Sequence, residues 1–166
     1  MKKTYLSWRD VEHRVQEILR QIQRDAWQPD YIVGITRGGL PPAVLISQYL
    51  GVPMHALQVS LRDGGDNAIE SNCWMSEDAY NGKQILIVDD INDSGATLNW
   101  ICQDWQSSCL PQDTETWERV WNHTTRFATL FDKETSGFDL EVDYKADTIL
   151  ADDDAWIVFP WENWWR

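Results

Sequence analysis

The chain has 166 residues, the length of one ordinary domain, and its 43% apolar and 25% charged residues are those of a globular protein, neither disordered nor fibrous. Fourteen basic against 27 acidic side chains give a formal net charge of −13, which argues against a nucleic-acid backbone or an anionic membrane surface as partner. No run approaches the ~20 apolar residues of a membrane span, and Cys73, Cys102 and Cys109 show no CxxC spacing and no zinc pattern with the three histidines, so they read as reduced thiols of a cytoplasmic protein.

The first element is a helix. Ser7 can cap it, Asp10 follows three residues later, and Val11, Val15, Ile18, Leu19 and Ile22 share one face. Beyond Pro29, the run Tyr31-Ile32-Val33-Gly34-Ile35 is short, apolar and β-branched, a buried strand. Thr36-Arg37-Gly38-Gly39 makes a turn, and a helix opened by Pro41-Pro42 closes at Gly51. Met54 to Ser60 completes a βαβ unit. Residues 61–81 are polar and irregular, the pattern of a functional lid or a loop.

Gln84-Ile85-Leu86-Ile87-Val88 is the strongest buried-strand signal, with Asp89-Asp90 expected to end it. A loop, Asn92 to Thr97, leads to a helix over about Leu98 to Ser107. A short helix is expected between Pro111 and Asn122, then strands over Arg126–Phe131 and Ala155–Phe159. Repeated strand–loop–helix units predict one α/β domain over residues 1–166 with a mainly parallel sheet. Eight of the 11 tryptophans lie from Trp100 onward.

The chemistry concentrates in Ile85 to Leu98, ILIVDDINDSGATL. A buried strand delivers two carboxylates to the carboxyl edge of a sheet, where open α/β folds bind ligands. The loop of small and hydroxyl residues that follows sits at a helix N-terminus, where backbone N–H groups and the helix dipole favour a phosphate. Vicinal acids beside a phosphate cradle suit a sugar phosphate. The chain lacks GxxxxGK[ST] and GxGxxG, which removes the P-loop and the dinucleotide fingerprint.

This run resembles the phosphoribosyl diphosphate (PRPP) motif of the type I phosphoribosyltransferases, and the resemblance extends in order from Tyr31 to Glu162. It implies a parallel sheet flanked by helices, with a small hood built from the chain-terminal segments. It assigns the ribose hydroxyls to Asp89 and Asp90, and the 5′-phosphate to Asp93, Ser94, Gly95, Ala96 and Thr97. The diphosphate falls to Thr36, Arg37, Gly38 and Gly39, where a guanidinium fork suits phosphate oxygens and glycines allow close backbone approach. Trp156-Ile157-Val158-Phe159-Pro160-Trp161-Glu162 is similar to the base-binding segment of the small xanthine-guanine and hypoxanthine enzymes of bacteria and archaea. That likeness implies that Trp156 stacks on the purine, that the Ile157 backbone reads its edge, and that Lys133 meets the oxygen at C6.

Asp93 corresponds to the family aspartate near purine N7, a proton handler; a role capping the following helix is compatible with it. Ser60 and Arg62 fall in the loop that closes over the reaction centre in relatives, with Leu61 where a tyrosine is usual. The expected reaction joins a 6-oxopurine (hypoxanthine, guanine or xanthine) to PRPP, giving the nucleoside 5′-monophosphate and diphosphate. Mg²⁺ is implied, touched by Asp89 or Asp90 directly or through water. A homo-oligomer, dimer or tetramer, is expected. Two alternatives stay open: a different acceptor base, and a regulatory protein that keeps the pocket as a PRPP or nucleotide sensor.

Overall fold

From the N-terminus, β1 (Lys3–Tyr5) precedes α1 (Trp8–Arg24), and Ser7 and Asp10 form a reciprocal capping box at the helix start. Then come β2 (Tyr31–Thr36), α2 (Leu40–Leu50), β3 (Met54–Gln58), α3 (Cys73–Tyr80) and β4 (Ile85–Asn92). The chain continues through α4 (Ala96–Ser108), α5 (Thr114–Glu118), β5 (Thr125–Lys133), β6 (Tyr144–Ile149) and β7 (Trp156–Val158). These elements come from a computed structural model that describes residues 1–59, 73–108 and 113–166.

Five strands form a wholly parallel sheet in the order β3-β2-β4-β5-β6. Side chains alternate across it, so Ile32, Leu86, Val88, Ala128 and Leu130 pack with α1 and α2 on one face. Tyr31, Val33, Ile35, Ile85, Ile87 and Phe127 pack with α3, α4 and α5 on the other. The predicted stripe of α1, from Val11 to Ile22, is buried throughout. The α/β class and the parallel sheet expected from the sequence are therefore observed.

Much of the tryptophan content is core. The Trp117 and Trp121 rings stack at 5.2 Å, Trp105 lies 5.9 Å from Trp121, and Trp121 stacks on Phe127 at 5.8 Å. Phe138 meets Phe127 edge-on at 5.2 Å, which carries this aromatic column to the loop before α4.

The hood is a separate two-stranded parallel sheet, β1 with β7, in the register Lys3↔Trp156, Thr4↔Ile157, Tyr5↔Val158. Its Ile157 and the buried Phe159 anchor it to the α1–α2 side of the core.

Two expectations need correction, and two strands appear that the sequence does not announce. Residues 73–80, inside the stretch read as irregular, form α3, because Met75, Ser76 and Ala79 bury one face against the core. β6 went unread since its sequence, YKADTI, exposes two residues and half-buries two more, as an edge strand does. β1 has only three residues and exists through its distant partner β7. Asp89 and Asp90 do not end their strand: β5 continues the ladder to Asn92↔Asp132 after β2 leaves at Gly34↔Val88.

Candidate active site

The strand order reverses at β2: the chain passes from β2 to β3 on one side, then returns to β4 on the other. A crevice opens at the carboxyl edge of such a switch point, between the loop after β2 and the end of β4. Arg37-Gly38-Gly39 and Asp89-Asp90 flank it. The Thr36–Arg37 peptide is cis, and Gly39 returns its N–H to the Ile35 carbonyl at 2.8 Å. Gly38 lies against the Asp90 carboxyl so closely that a Cβ there would sit 2.6 Å from Asp90 Cγ. Arg37 is exposed and makes no ion pair among the described residues.

Asp89 and Asp90 are each pinned by the N–H of the residue that follows. The Asp90 N–H donates to Asp89 Oδ1 and the Ile91 N–H to Asp90 Oδ1, each at 2.8 Å. Burial holds both carboxyls above the usual carboxylate range; Asp90 adds to the shift of Asp89, and Glu162 to that of Asp90. Glu162 is a residue whose role the sequence did not reveal. It shares a cavity of about 750 Å³ with Arg37, Gly38 and Asp90, while its Oε2 accepts the Phe159 N–H at 2.8 Å. Its place after Pro160-Trp161 was visible, but its approach to Asp90 depends on the hood's fold.

The loop before α4 is locked from outside. Gly95 has φ +86°, and a Cβ on it would overlap the Gly137–Phe138 backbone. Gly137 donates its N–H to Ser94 O at 2.8 Å, and Asn99 bridges Gly137 O and Asp139 N at 2.9 Å each. Ser94 Oγ accepts the Ala96 N–H at 3.2 Å. With α4 beginning at Ala96, the first-turn N–H groups that have no intrahelical acceptor, of which Ala96 also bonds Ser94 Oγ, make an anion-favouring helix N-terminus.

Asp93 and Lys133, separated by 40 residues, meet at 2.7 Å between Oδ1 and Nζ. The structure thus joins two predicted base-end residues into one ion pair at the ends of β4 and β5. Lys133 lines a cavity of about 440 Å³ with Asn92 and Asp132. Trp156 is half exposed and lines a different cavity, about 740 Å³, with Lys3, Tyr5, Trp8 and Trp164. Among the described residues, Glu162 and Asn163 are common to the Trp156 and Arg37 cavities, whereas the Lys133 cavity shares no lining residue with either, so the predicted site residues are distributed over separate hollows.

The backbone of Ile157 faces away from β1. Trp156 donates its N–H to Lys2 O and Val158 accepts from the Leu6 N–H, so both point toward β1. In a parallel ladder the intervening residue then turns its N–H and C=O to the opposite edge, where β7 has no partner strand among the described residues. Ser60 and Arg62 lie outside the described residues.

Among the described residues no three His, Cys, Asp or Glu side chains stand close enough to hold a metal ion by themselves. A desolvated acid pair fits Mg²⁺ in another way, since this ion is commonly held by one or two carboxylates together with substrate phosphates. Among the described residues no helix is long and apolar enough to cross a membrane.

Fold and site together define a doubly wound α/β protein whose ligand crevice lies at the β2/β4 switch point, roofed by a hood from both chain ends. The chain matches the phosphoribosyl transferase domain over residues 1–163 and belongs to that family. It is 29% identical over 166 residues to the xanthine-guanine phosphoribosyltransferase of Idiomarina loihiensis, covering 97% of this chain and 88% of that protein. With the enzyme of the same name from Cereibacter sphaeroides it shares 31% identity over 171 residues, 97% of this chain and 87% of the other. The crystal structure of a purine phosphoribosyltransferase from Pyrococcus horikoshii superposes with a TM-score of 0.68 at 27% identity, covering 98% of this chain and 95% of that one. Its fold is that of the type I phosphoribosyltransferases.

Proposed function

We propose that the protein transfers the phosphoribosyl group of PRPP to a 6-oxopurine, forming the nucleoside 5′-monophosphate and diphosphate in purine salvage in the cytoplasm. The observation that carries this reading is the Asp93–Lys133 pair, 2.7 Å apart at the strand ends beside Asp89-Asp90. The N7-protonated tautomer of a 6-oxopurine presents an acceptor, O6, next to a donor, N7–H. An ammonium, which only donates, suits O6, and a carboxylate suits N7–H. Adenine offers its 6-amino donors to the same ammonium and is disfavoured.

In this reading Asp89 and Asp90 hold the ribose hydroxyls, and the loop and first-turn amides from Ser94 to Thr97 take the 5′-phosphate, with Ala96 giving up its bond to Ser94 Oγ. Arg37 and the Gly38 amide receive the diphosphate, while Gly39, whose N–H is bonded to Ile35 O, allows the close approach of the loop. Trp156 stacks on the base while the free backbone edge of Ile157 reads its Watson–Crick side. Asp93 takes the N7 proton as N9 attacks C1 of the ribose. Charge that develops on the departing diphosphate meets Arg37 and the Gly38 amide. Mg²⁺, held by Asp89 or Asp90 and the substrate oxygens, would neutralise the diphosphate. Close similarity along nearly the whole chain to enzymes named for xanthine and guanine supports this base class.

Turnover tests the reading. With PRPP and magnesium, hypoxanthine, guanine or xanthine should yield its 5′-monophosphate. Tight PRPP binding with no product from any base would instead favour a sensor.

A further inference from the structure

A polar cluster stands directly behind the Asp93–Lys133 pair. Asn92 of β4 and Asp132 of β5 are partners in register, and Asn92 Nδ2 donates to Asp132 Oδ1 at 2.8 Å. The second oxygen, Oδ2, accepts from Lys145 Nζ of β6, also at 2.8 Å. Asn92 is buried, and the side chains of Asp132 and Lys145 are 15% and 43% exposed. One carboxylate therefore ties three neighbouring strands together at the carboxyl edge. The next residue along β4 is Asp93, and the next along β5 is Lys133.

The fold does not require this arrangement. Backbone pairing from Ile85↔Thr125 onward already sets the β4–β5 register. A well-packed apolar pair at Asn92 and Asp132 would avoid the desolvation of a carboxylate and an amide. What two bonds to one half-buried carboxylate supply is a preferred geometry, because a shift of either strand breaks a bond to Asp132. Here that geometry belongs to the two strand ends from which Asp93 and Lys133 project.

We infer that Asp132 is a positioning residue for base selection, holding the ends of β4 and β5 through Asn92 and Lys145 so that Lys133 and Asp93 meet a 6-oxopurine together. This rests on the proposed roles of Lys133 and Asp93. In this inference Asp132 acts through Asn92 and Lys145 and not by contact with either substrate. It bonds also to the charge of Lys145, which keeps that ammonium beside the cluster and leaves Asp93 to Lys133.

The test compares wild type with two variants, the double replacement Asn92→Val with Asp132→Val, and Lys145→Met. Valine suits a buried strand, and Lys145 is half exposed, so the second variant folds even if the first does not. Four quantities are read: kcat/KM for hypoxanthine, PRPP affinity, thermal midpoint, and the ratio of Kd values for adenosine and inosine 5′-monophosphate. A misplacement of an ångström at a reacting pair can cost about a hundredfold. The double variant should accordingly lower the nucleotide ratio by about tenfold, and Lys145→Met by about threefold, with PRPP affinity within about twofold of wild type. A nucleotide ratio within about twofold of wild type in every variant that folds would overturn the inference, whatever happens to the midpoint. If wild type itself converts no 6-oxopurine, the proposed function fails first. If wild type turns over and only the ratio is unmoved, the positioning role alone fails.

Discussion

Replacing Gly38 by alanine should disable the site with little effect on the fold. The added Cβ would overlap Asp90 Oδ2 and stand 2.6 Å from Cγ. Non-bonded carbons settle at about 3.5 Å, so the carboxyl or the loop must retreat by about 1 Å. The carboxyl is not free to do so, because its Oδ1 is pinned by the Ile91 N–H at 2.8 Å. Losing that bond costs about 1 kcal/mol of stability, whereas an ångström of displacement in a substrate-positioning group costs up to about a hundredfold in rate. The expected result is a fall of about 10²-fold in kcat/KM for PRPP and a thermal midpoint lowered by roughly 2–4 °C. Gly51→Ala is the converse control. It ends α2 at φ +68° with nothing within 4 Å, so alanine meets backbone strain of about 1–2 kcal/mol and no ligand. It should lose stability and keep activity. Gly38→Ala with kcat/KM within about twofold of wild type would refute the placement of Asp90 and the β2 loop around one substrate.

Other expectations follow from the same geometry. Asp89 is held above the usual carboxylate range by burial and by Asp90, so the folded state binds its proton more tightly than the unfolded chain. Stability should therefore fall as pH rises from the ordinary carboxylate value, about 4, through the raised folded value. Asp89→Asn should remove that loss and raise the thermal midpoint at pH 8 while abolishing PRPP binding; a lower midpoint at pH 8 would contradict the burial argument. Asp93→Asn should cut kcat by about 10²-fold or more and leave PRPP affinity nearly unchanged, since proton transfer and not sugar binding is lost. Its ion pair with Lys133 is more than half exposed on the Asp93 side, so stability should change by under about 1 kcal/mol. An unchanged kcat would remove Asp93 from the chemistry. Trp156→Ala should raise the base KM by about 5- to 150-fold, the equivalent of ~1–3 kcal/mol of stacking, with PRPP binding intact. Equal loss of both would make Trp156 a structural residue of the hood.

What could be read from the sequence was what a single segment contains. The run Ile85 to Val88 is apolar on both faces, as a strand covered by helices must be, and the acids and small residues after it stand in one uninterrupted stretch. The β2 loop was readable for the same reason, since Arg37-Gly38-Gly39 directly follows its strand. Features made by distant segments were not. The three residues of β1 carry no periodicity, and only pairing with Trp156–Val158 makes them a strand. Trp105 lies in α4 while Trp117 and Trp121 stand four residues apart around α5, and their contacts with one another and with Phe127 of β5 appear only once these elements pack together. Asp132 looked like an ordinary strand-end acid until register placed it opposite Asn92. The net charge of −13 likewise hid a local arrangement, because backbone amides and the N-terminus of α4 attract phosphate without entering the count of charged side chains.

The central claim is that the Asp93–Lys133 pair selects a purine with oxygen at C6 for joining to PRPP. It is tested most directly by diphosphate release, with PRPP and magnesium in excess, from hypoxanthine, guanine and xanthine alongside adenine, uracil and orotate. The account predicts diphosphate and the matching 5′-monophosphate in equal amounts from at least one 6-oxopurine, and at least about 100-fold lower kcat/KM for adenine and both pyrimidines. Efficient turnover of adenine or a pyrimidine, with all three 6-oxopurines inert, would contradict it.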